Sequence, residues 1–157
     1  MIEALQRGAP VELWQALVRD AAAGAGCVLD EASESYLVFV LLRFQRDGHL
    51  LTPTQALDWL HAQAQVGTAR AEALRDVGDR CLLIAGLFPG LAERRRVSAD
   101  YFIDLGRGAY RDVAAASRAG YARLYAQLAR AYRELVDVLR SARALGLPAA
   151  PRTLRAH

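Results

Sequence analysis

Residues 79–110 read DRCLLIAGLFPGLAERRRVSADYFIDLGRGAY, and this stretch decides the expected fold. Two segments rich in apolar and small residues flank a Phe-Pro-Gly sequence and three consecutive arginines. Apolar residues recur at spacings of three and four on both sides, which is typical of amphipathic helices. Because Pro and Gly end helices, the stretch predicts two helices joined by a turn, Pro89 to Val97, that carries Arg94, Arg95 and Arg96.

Both helices beside this turn contain glycine on or near their apolar faces. The first is predicted from Thr68 to the Pro89-Gly90 break, with apolar residues Leu74, Val77, Cys81, Ile84 and Phe88. The second has Ser98 as its N-cap and apolar residues Phe102, Leu105, Ala109 and Val113. Glycine weakens a helix interior, so Gly78 and Gly86 mark either close contacts or bends in the first helix. With Gly106 and Gly108 in the second helix, the pattern predicts that the two helices cross closely.

Three further helices are predicted before this pair. One runs from Pro10 to the Gly24-Gly26 stop, with Leu13, Leu17 and Trp14 as its apolar stripe. The next begins around Asp30 to Ser33 and ends before Gly48, and its middle, residues 36–42, is apolar on every face and predicts a buried central helix. The third begins at Thr52 and Pro53, a capping signal, and ends at Gly67.

After Gly120 the pattern predicts one long final helix. Its apolar stripe contains Tyr121, Leu124, Tyr125, Leu128, Tyr132, Leu135 and Leu139, and its opposite face carries Arg123, Arg130, Arg133 and Arg140. The predicted fold is therefore an all-α, single-domain bundle of about six helices over residues 1–147. Residues 148–157 are predicted to be a flexible basic tail.

The central segment also resembles a known pattern. Its sequence fits GDxxLxxxGxFP, beginning at Gly78, followed by YFxxxGxxAY, beginning at Tyr101. This pattern is similar to that of a family of bacterial all-helical proteins. The resemblance covers about a fifth of the chain, implies an all-α fold, and implies no activity and no functional residues.

The cysteines and the apolar runs predict a cytoplasmic protein. Cys27 and Cys81 lie in apolar contexts without a CxxC or Cys/His cluster, which suits buried thiols in a reducing compartment. Apolar runs are shorter than the ~20 residues that span a membrane. Residues 1–10 contain Glu3 and Arg7 and lack the apolar core of a signal peptide.

Charge is divided unevenly along the chain. Residues 1–90 contain seven arginines and eleven acidic residues, whereas residues 91–157 contain thirteen arginines and six acidic residues. A basic half of this kind binds nucleic acid, pairs with the acidic half of its own fold, or pairs with that of a partner subunit.

No motif predicts a catalytic residue, a metal or a cofactor. Asp58 and His61 form a single Asp-x-x-His, whereas a carboxylate-bridged metal pair needs two such motifs. The glycines at 106 and 108 lie in a helical pattern rather than after a strand, so they are not a dinucleotide-binding loop. A Gly-x-Ser-x-Gly elbow is also missing.

Two groups of residues are candidates for a binding site. The first is the arginine elbow, Arg94 to Arg96, because three adjacent like charges repel one another and suit an anionic partner. The second is a polar group between the helices on either side of the elbow: Asp79, Arg80, Tyr101, Asp104 and Tyr110. This group forms either a ligand cleft or a structural network of ion pairs and tyrosine hydrogen bonds.

The pattern as a whole favours a non-enzymatic interaction or regulatory module that self-associates as a homodimer. Tyrosine, leucine and arginine on the final helix are typical interface residues. The alternative is a ligand-binding regulator with an anion-preferring cleft beside the elbow. A third interpretation is non-specific nucleic-acid binding through the basic half. Sequence-specific DNA reading is disfavoured, because Asp100 and Asp104 at the start of the second helix repel phosphate.

Overall fold

The structure, a computed structural model, describes residues 11–46, 67–94 and 96–146. In this part of the chain 88% of residues are helical and no strand occurs, which confirms the predicted all-α class. The helices are α1 (Val11–Ala25), α2 (Glu31–Arg46), α3 (Gly67–Leu87), α4 (Pro89–Arg94), α5 (Ala99–Ala116), α6 (Ala119–Arg130) and α7 (Tyr132–Ala144). The helix predicted from Thr52 to Gly67 and the tail, 148–157, lie outside the described residues.

Contacts divide the chain into two compact units. The first unit contains residues 1–52 and 137–157, and the second contains residues 53–136. The boundary lies within α7, a continuous helix whose first five residues belong to the second unit. The single domain predicted for residues 1–147 stays a prediction, and each unit is described by itself.

In the first unit, α1 and α2 pack through one face of each helix. Trp14 is buried and its indole Nε1 donates a hydrogen bond to Gln45 Oε1 over 3.2 Å. The predicted stripe of α1 was wrong at Leu13 and Leu17, which are only half-buried. Its buried residues follow the spacing of four from Trp14 instead: Trp14, Val18, Ala21 and Ala22.

Helix α2 begins and ends as predicted. The Asp30 carboxylate accepts a hydrogen bond from the Ser33 amide over 3.0 Å, which satisfies one free donor of the first turn. Acidic residues lie in the first turn and Arg43 and Arg46 in the last, the order that the helix dipole favours. Most of the segment 36–42 is buried, but Phe39 is 40% exposed, so burial on every face was wrong.

In the second unit, α3 and α5 form the most extensive helix contact. The predicted Ser98 cap is confirmed, because its Oγ accepts a hydrogen bond from the Tyr101 amide over 3.2 Å. The turn predicted from Pro89 to Val97 was too simple, since it contains the short helix α4. Pro89 is the first residue of that helix, where its missing amide hydrogen costs nothing.

The prediction of one long final helix was wrong in one respect, because Ala131 interrupts the helix and separates α6 from α7. Around this residue the Ala131 amide still donates to the Gln127 carbonyl, and the Leu135 amide donates to the Ala131 carbonyl, both over 2.9 Å. The interruption is therefore confined to one residue. It contains neither Pro nor Gly, the residues from which a sequence predicts a break.

None of the described helices is long and apolar enough to cross a membrane.

Two helices end in the same Schellman geometry with different residues at the left-handed position. After α1, Gly26 has φ 69°, its amide donates to the Ala23 carbonyl, and the Cys27 amide donates to the Ala22 carbonyl. After α4, Arg96 has φ 55° in the equivalent position, and its amide donates a hydrogen bond to the Glu93 carbonyl. Side chains other than glycine lose about 1–2 kcal/mol in this conformation.

We therefore expect Arg96→Gly to raise the free energy of unfolding by about 1 kcal/mol. The matched change in the opposite direction, Gly26→Ala, should lower it by a similar amount. Urea unfolding followed by circular dichroism measures both. A loss of stability in Arg96→Gly would show that the arginine side chain contributes more than its backbone strain costs.

Candidate functional site

Some residues of the polar group predicted beside the elbow form a buried cluster between α3 and α5. Gly78 lies directly under the ring of Tyr110, and a Cβ atom at Gly78 would overlap the ring carbons. The glycine thus allows a large aromatic ring to reach the backbone of the neighbouring helix. This contact confirms the predicted close crossing at Gly78.

Asp79 follows Gly78 and is completely buried. The hydroxyl of Tyr110, also completely buried, donates a hydrogen bond to Asp79 Oδ1 over 2.5 Å. A buried carboxyl group is costly unless its oxygens accept hydrogen bonds, so the two residues depend on each other. The sequence analysis placed both in the candidate site, and the structure brings them together.

A third residue, Tyr132, completes the cluster and was missed as a site residue. Its hydroxyl donates to the Gly78 carbonyl over 2.7 Å, and its ring centroid lies 5.4 Å from that of Tyr110. Gly106 makes room for it, because a Cβ atom there would overlap the Tyr132 hydroxyl. Tyr125 packs edge-on against Tyr110 with centroids 5.6 Å apart.

The environment holds Tyr132 in its neutral form. Burial raises the pKa of Tyr132 well above its ordinary value of 10.0, and the nearby Cys81 and Asp79 raise it further. Arg107 acts in the opposite direction and lowers the same pKa. At neutral pH the hydroxyl is therefore a stable hydrogen-bond donor rather than a proton carrier.

This cluster is arranged for packing rather than for chemistry on a substrate. Asp79, Tyr110 and Tyr132 have no exposed surface, and the two tyrosine hydroxyls donate to the Asp79 carboxyl group and to the Gly78 carbonyl. A catalytic acid or base must reach the proton that it transfers, and a substrate must therefore reach it. The geometry favours the structural network that the sequence analysis gave as the second interpretation.

Two other members of the predicted polar group, Tyr101 and Asp104, do not join the cluster. Tyr101 and Asp104 are exposed on α5, and Tyr101 lies nine residues, or about 180° around the helix, from the buried Tyr110. Arg80 is half-buried. Tyr101 and Tyr110 therefore do not line one cleft.

The arginine elbow is described only in part. Arg94 is the last residue of α4, and Arg96 is exposed with a left-handed backbone. Arg95 and the side chain of Arg94 lie outside what the structure describes. An anion site at the elbow stays a prediction.

Metal chemistry finds no support in the described ranges, which contain no group of three or more His, Cys, Asp or Glu placed to hold an ion. Asp58 and His61 lie outside these ranges. Cys81 is buried as predicted, whereas the prediction for Cys27 was wrong, because its side chain is only half-buried.

A surface feature of α2 was not predicted from the sequence. Phe39, 40% exposed, lies at the middle of a face that includes every exposed residue of this helix, and the Arg43 guanidinium lies 5.8 Å from its ring centroid. We call this face the outward face of α2. It consists of the exposed residues Glu31, Ala32, Ser35, Phe39 and Arg46, with the half-buried Leu42 and Arg43.

Comparison of the chain with protein-family models, with curated proteins and with solved structures gave no match. The resemblance of the central segment to a bacterial all-helical family stays a prediction.

The first prediction from this cluster compares two glycines of α5. Gly106→Ala should lower the free energy of unfolding by about 1–3 kcal/mol, because the new methyl group overlaps Tyr132. Gly108→Ala is the matched control, since nothing lies within 4 Å of a Cβ atom there, and it should raise stability by about 1 kcal/mol. Urea unfolding measures both, and equal effects at the two positions would contradict the packing described.

The second prediction concerns alkaline pH. The folded protein holds the Tyr132 proton more tightly than the unfolded chain does. The stabilisation that this proton gives the folded state is therefore fully present below the ordinary pKa of 10.0 and is lost as pH rises toward the raised pKa. Unfolding measured from pH ~8 to ~11 should show falling stability, with a shallower fall in Tyr132→Phe. Tyr121→Phe, at an exposed position, should keep the wild-type slope. A wild-type slope in Tyr132→Phe would contradict this origin of the loss.

Proposed function

We propose that the protein is a non-enzymatic helical interaction module that associates with a second copy of itself. The observation that carries the proposal is Phe39, an aromatic side chain exposed at the middle of the outward face of α2 and covered on one side by Arg43. Aromatic residues and arginine are enriched at protein interfaces. An exposed aromatic ring of this kind, in a segment that is mostly buried, favours contact with another protein.

The buried cluster supports a binding role over a catalytic one. Its titratable groups, Asp79, Tyr110 and Tyr132, contribute to the contact between α3 and α5 and have no exposed surface. The alternative of an anion-binding cleft formed by Tyr101, Tyr110 and the arginine elbow required Tyr101 to converge with Tyr110, and Tyr101 lies on the opposite face of α5. Self-association is the better supported of the two.

The surface first expected to associate is not the best one. Of the aromatic residues predicted there, Tyr125 and Tyr132 are buried and contribute to the core of the second unit. Tyr121 is 70% exposed but stands among small and charged residues. On α7 the exposed arginines Arg133 and Arg140 flank the acidic Glu134 and Asp137, which also weakens the nucleic-acid interpretation.

Sedimentation velocity tests the proposal directly. We expect the weight-average sedimentation coefficient to rise with protein concentration through the micromolar range, toward the value of a dimer. The dimer should be symmetric, since a surface that binds its own copy closes around a two-fold axis.

Cys27 calls for a control, because its half-buried thiol could link two copies through a disulfide and imitate association. The measurement is therefore made in reducing buffer and repeated with Cys27→Ser, which should associate as the wild type does. A single monomeric species at every concentration up to high micromolar would overturn the proposal.

A further inference from the structure

We infer that two copies pair antiparallel through the outward face of α2, around a two-fold axis that passes close to Phe39. The inference rests on the proposed self-association and adds to it the surface, the orientation and the charge pairs. It depends on the described residues of α2 alone.

The outward face is a single continuous stripe. At 3.6 residues per turn, residues 31, 42, 35, 46, 39, 32 and 43 follow one another around the helix within about 120°. The rest of the surface of α2 carries the buried residues Ser33, Tyr36, Leu37, Val38, Val40, Leu41 and Phe44. A stripe of this width suits one face of a helix pair.

Charge along the stripe is self-complementary in one orientation. Glu31 lies eight residues before Phe39 and Arg46 lies seven after it, which places them about 12 Å and about 10.5 Å from Phe39 along the axis. A two-fold axis at Phe39 therefore brings Glu31 of each copy opposite Arg46 of the other. Parallel pairing would instead place Glu31 beside Glu31 and Arg46 beside Arg46.

Side-chain size along the stripe agrees with this pairing. Ala32 and Ser35 are small and exposed, so a second helix can approach closely on the N-terminal side of Phe39. In the antiparallel arrangement Ser35, four residues before Phe39, faces the half-buried Arg43 of the other copy, and Ala32, seven residues before it, faces Arg46. A large residue thus meets a small one on each side of the axis, the pattern by which facing helices interdigitate.

The size of the contact sets the expected affinity. A pair of 16-residue helices is about 24 Å long and buries less than the standard interface of about 1,600 Å². The dimer should therefore be weak, with a dissociation constant in the micromolar range. Its affinity should also fall as salt rises, because the charged pairs lie at the rim.

Two single charge reversals test the pairing. Glu31→Arg places two arginines at each end of the dimer, and Arg46→Glu places two glutamates there. Each variant alone should therefore have a dissociation constant at least about tenfold higher than that of the wild type. An equimolar mixture of the two variants restores opposite charges at both ends. Sedimentation of the mixture, with one variant fluorescently labelled, should show a heterodimer with near wild-type affinity.

Matched controls separate pairing from folding. Glu12→Arg changes an exposed acidic residue in the first turn of α1, and Arg143→Glu changes an exposed basic residue in the last turn of α7. Both carry the same helix-dipole penalty as the test variants and should leave association unchanged. Thermal melting of all four variants checks that they fold.

The outcomes distinguish this inference from the proposed function. If the wild type dimerises and both test variants dimerise equally well, or if the mixture forms no heterodimer, the α2 pairing is overturned and the proposed self-association stands. If the wild type is monomeric, the proposed function and the pairing both fail. Weakened single variants with a restored mixture support both.

Discussion

The close contact between α3 and α5 is the constraint on which the second unit depends. It exists because Gly78 and Gly106 have no side chains, so that Tyr110 and Tyr132 occupy the space that Cβ atoms would fill. The two tyrosine hydroxyls then reach polar groups inside the core, the carboxylate of Asp79 and the backbone carbonyl of Gly78. Glycine, tyrosine and the buried carboxyl group are therefore parts of one arrangement, and changing any of them disturbs the others.

This arrangement bears on function through what it encloses. Titratable groups that would suggest an active site in a sequence are enclosed by packing, and burial keeps Tyr132 protonated. The exposed groups include arginines, acidic residues at helix starts, and the aromatic rings of Phe39, Tyr101 and Tyr121. Aromatic residues and arginine are enriched at protein interfaces, which supports a proposal of association.

Much of the fold could be predicted from short-range signals. Ser98 caps its helix, Gly26 ends another, and Gly78 and Gly106 mark a close crossing, because each of these effects acts within a turn or requires one residue type. The prediction was wrong at Gly108, where nothing lies within 4 Å of a Cβ atom. The interruption at Ala131 could not be predicted, since the apolar stripe continues through it with a spacing of four between Leu128 and Tyr132.

The site was harder to predict than the fold. Asp79 and Tyr110 were recognised as polar residues in an apolar segment, but Tyr132 is 54 residues from its acceptor Gly78 and no local pattern joins them. Phe39 was missed because it lies in a run that is apolar on every side, so periodicity does not indicate which residue faces outward. In the structure Phe39 is the residue that faces outward, and the residues on either side of it are buried.

The most direct test of the enclosed cluster is a double-mutant cycle between Asp79 and Tyr110. Unfolding free energies are measured for the wild type, Asp79→Ala, Tyr110→Phe and the double variant, and the coupling is the part of the two losses that does not add. A buried hydrogen bond to a carboxyl group predicts a coupling of about 1.5–3 kcal/mol. A coupling within about 0.3 kcal/mol of zero would show that the two side chains act independently and that the cluster does not hold α3 and α5 together.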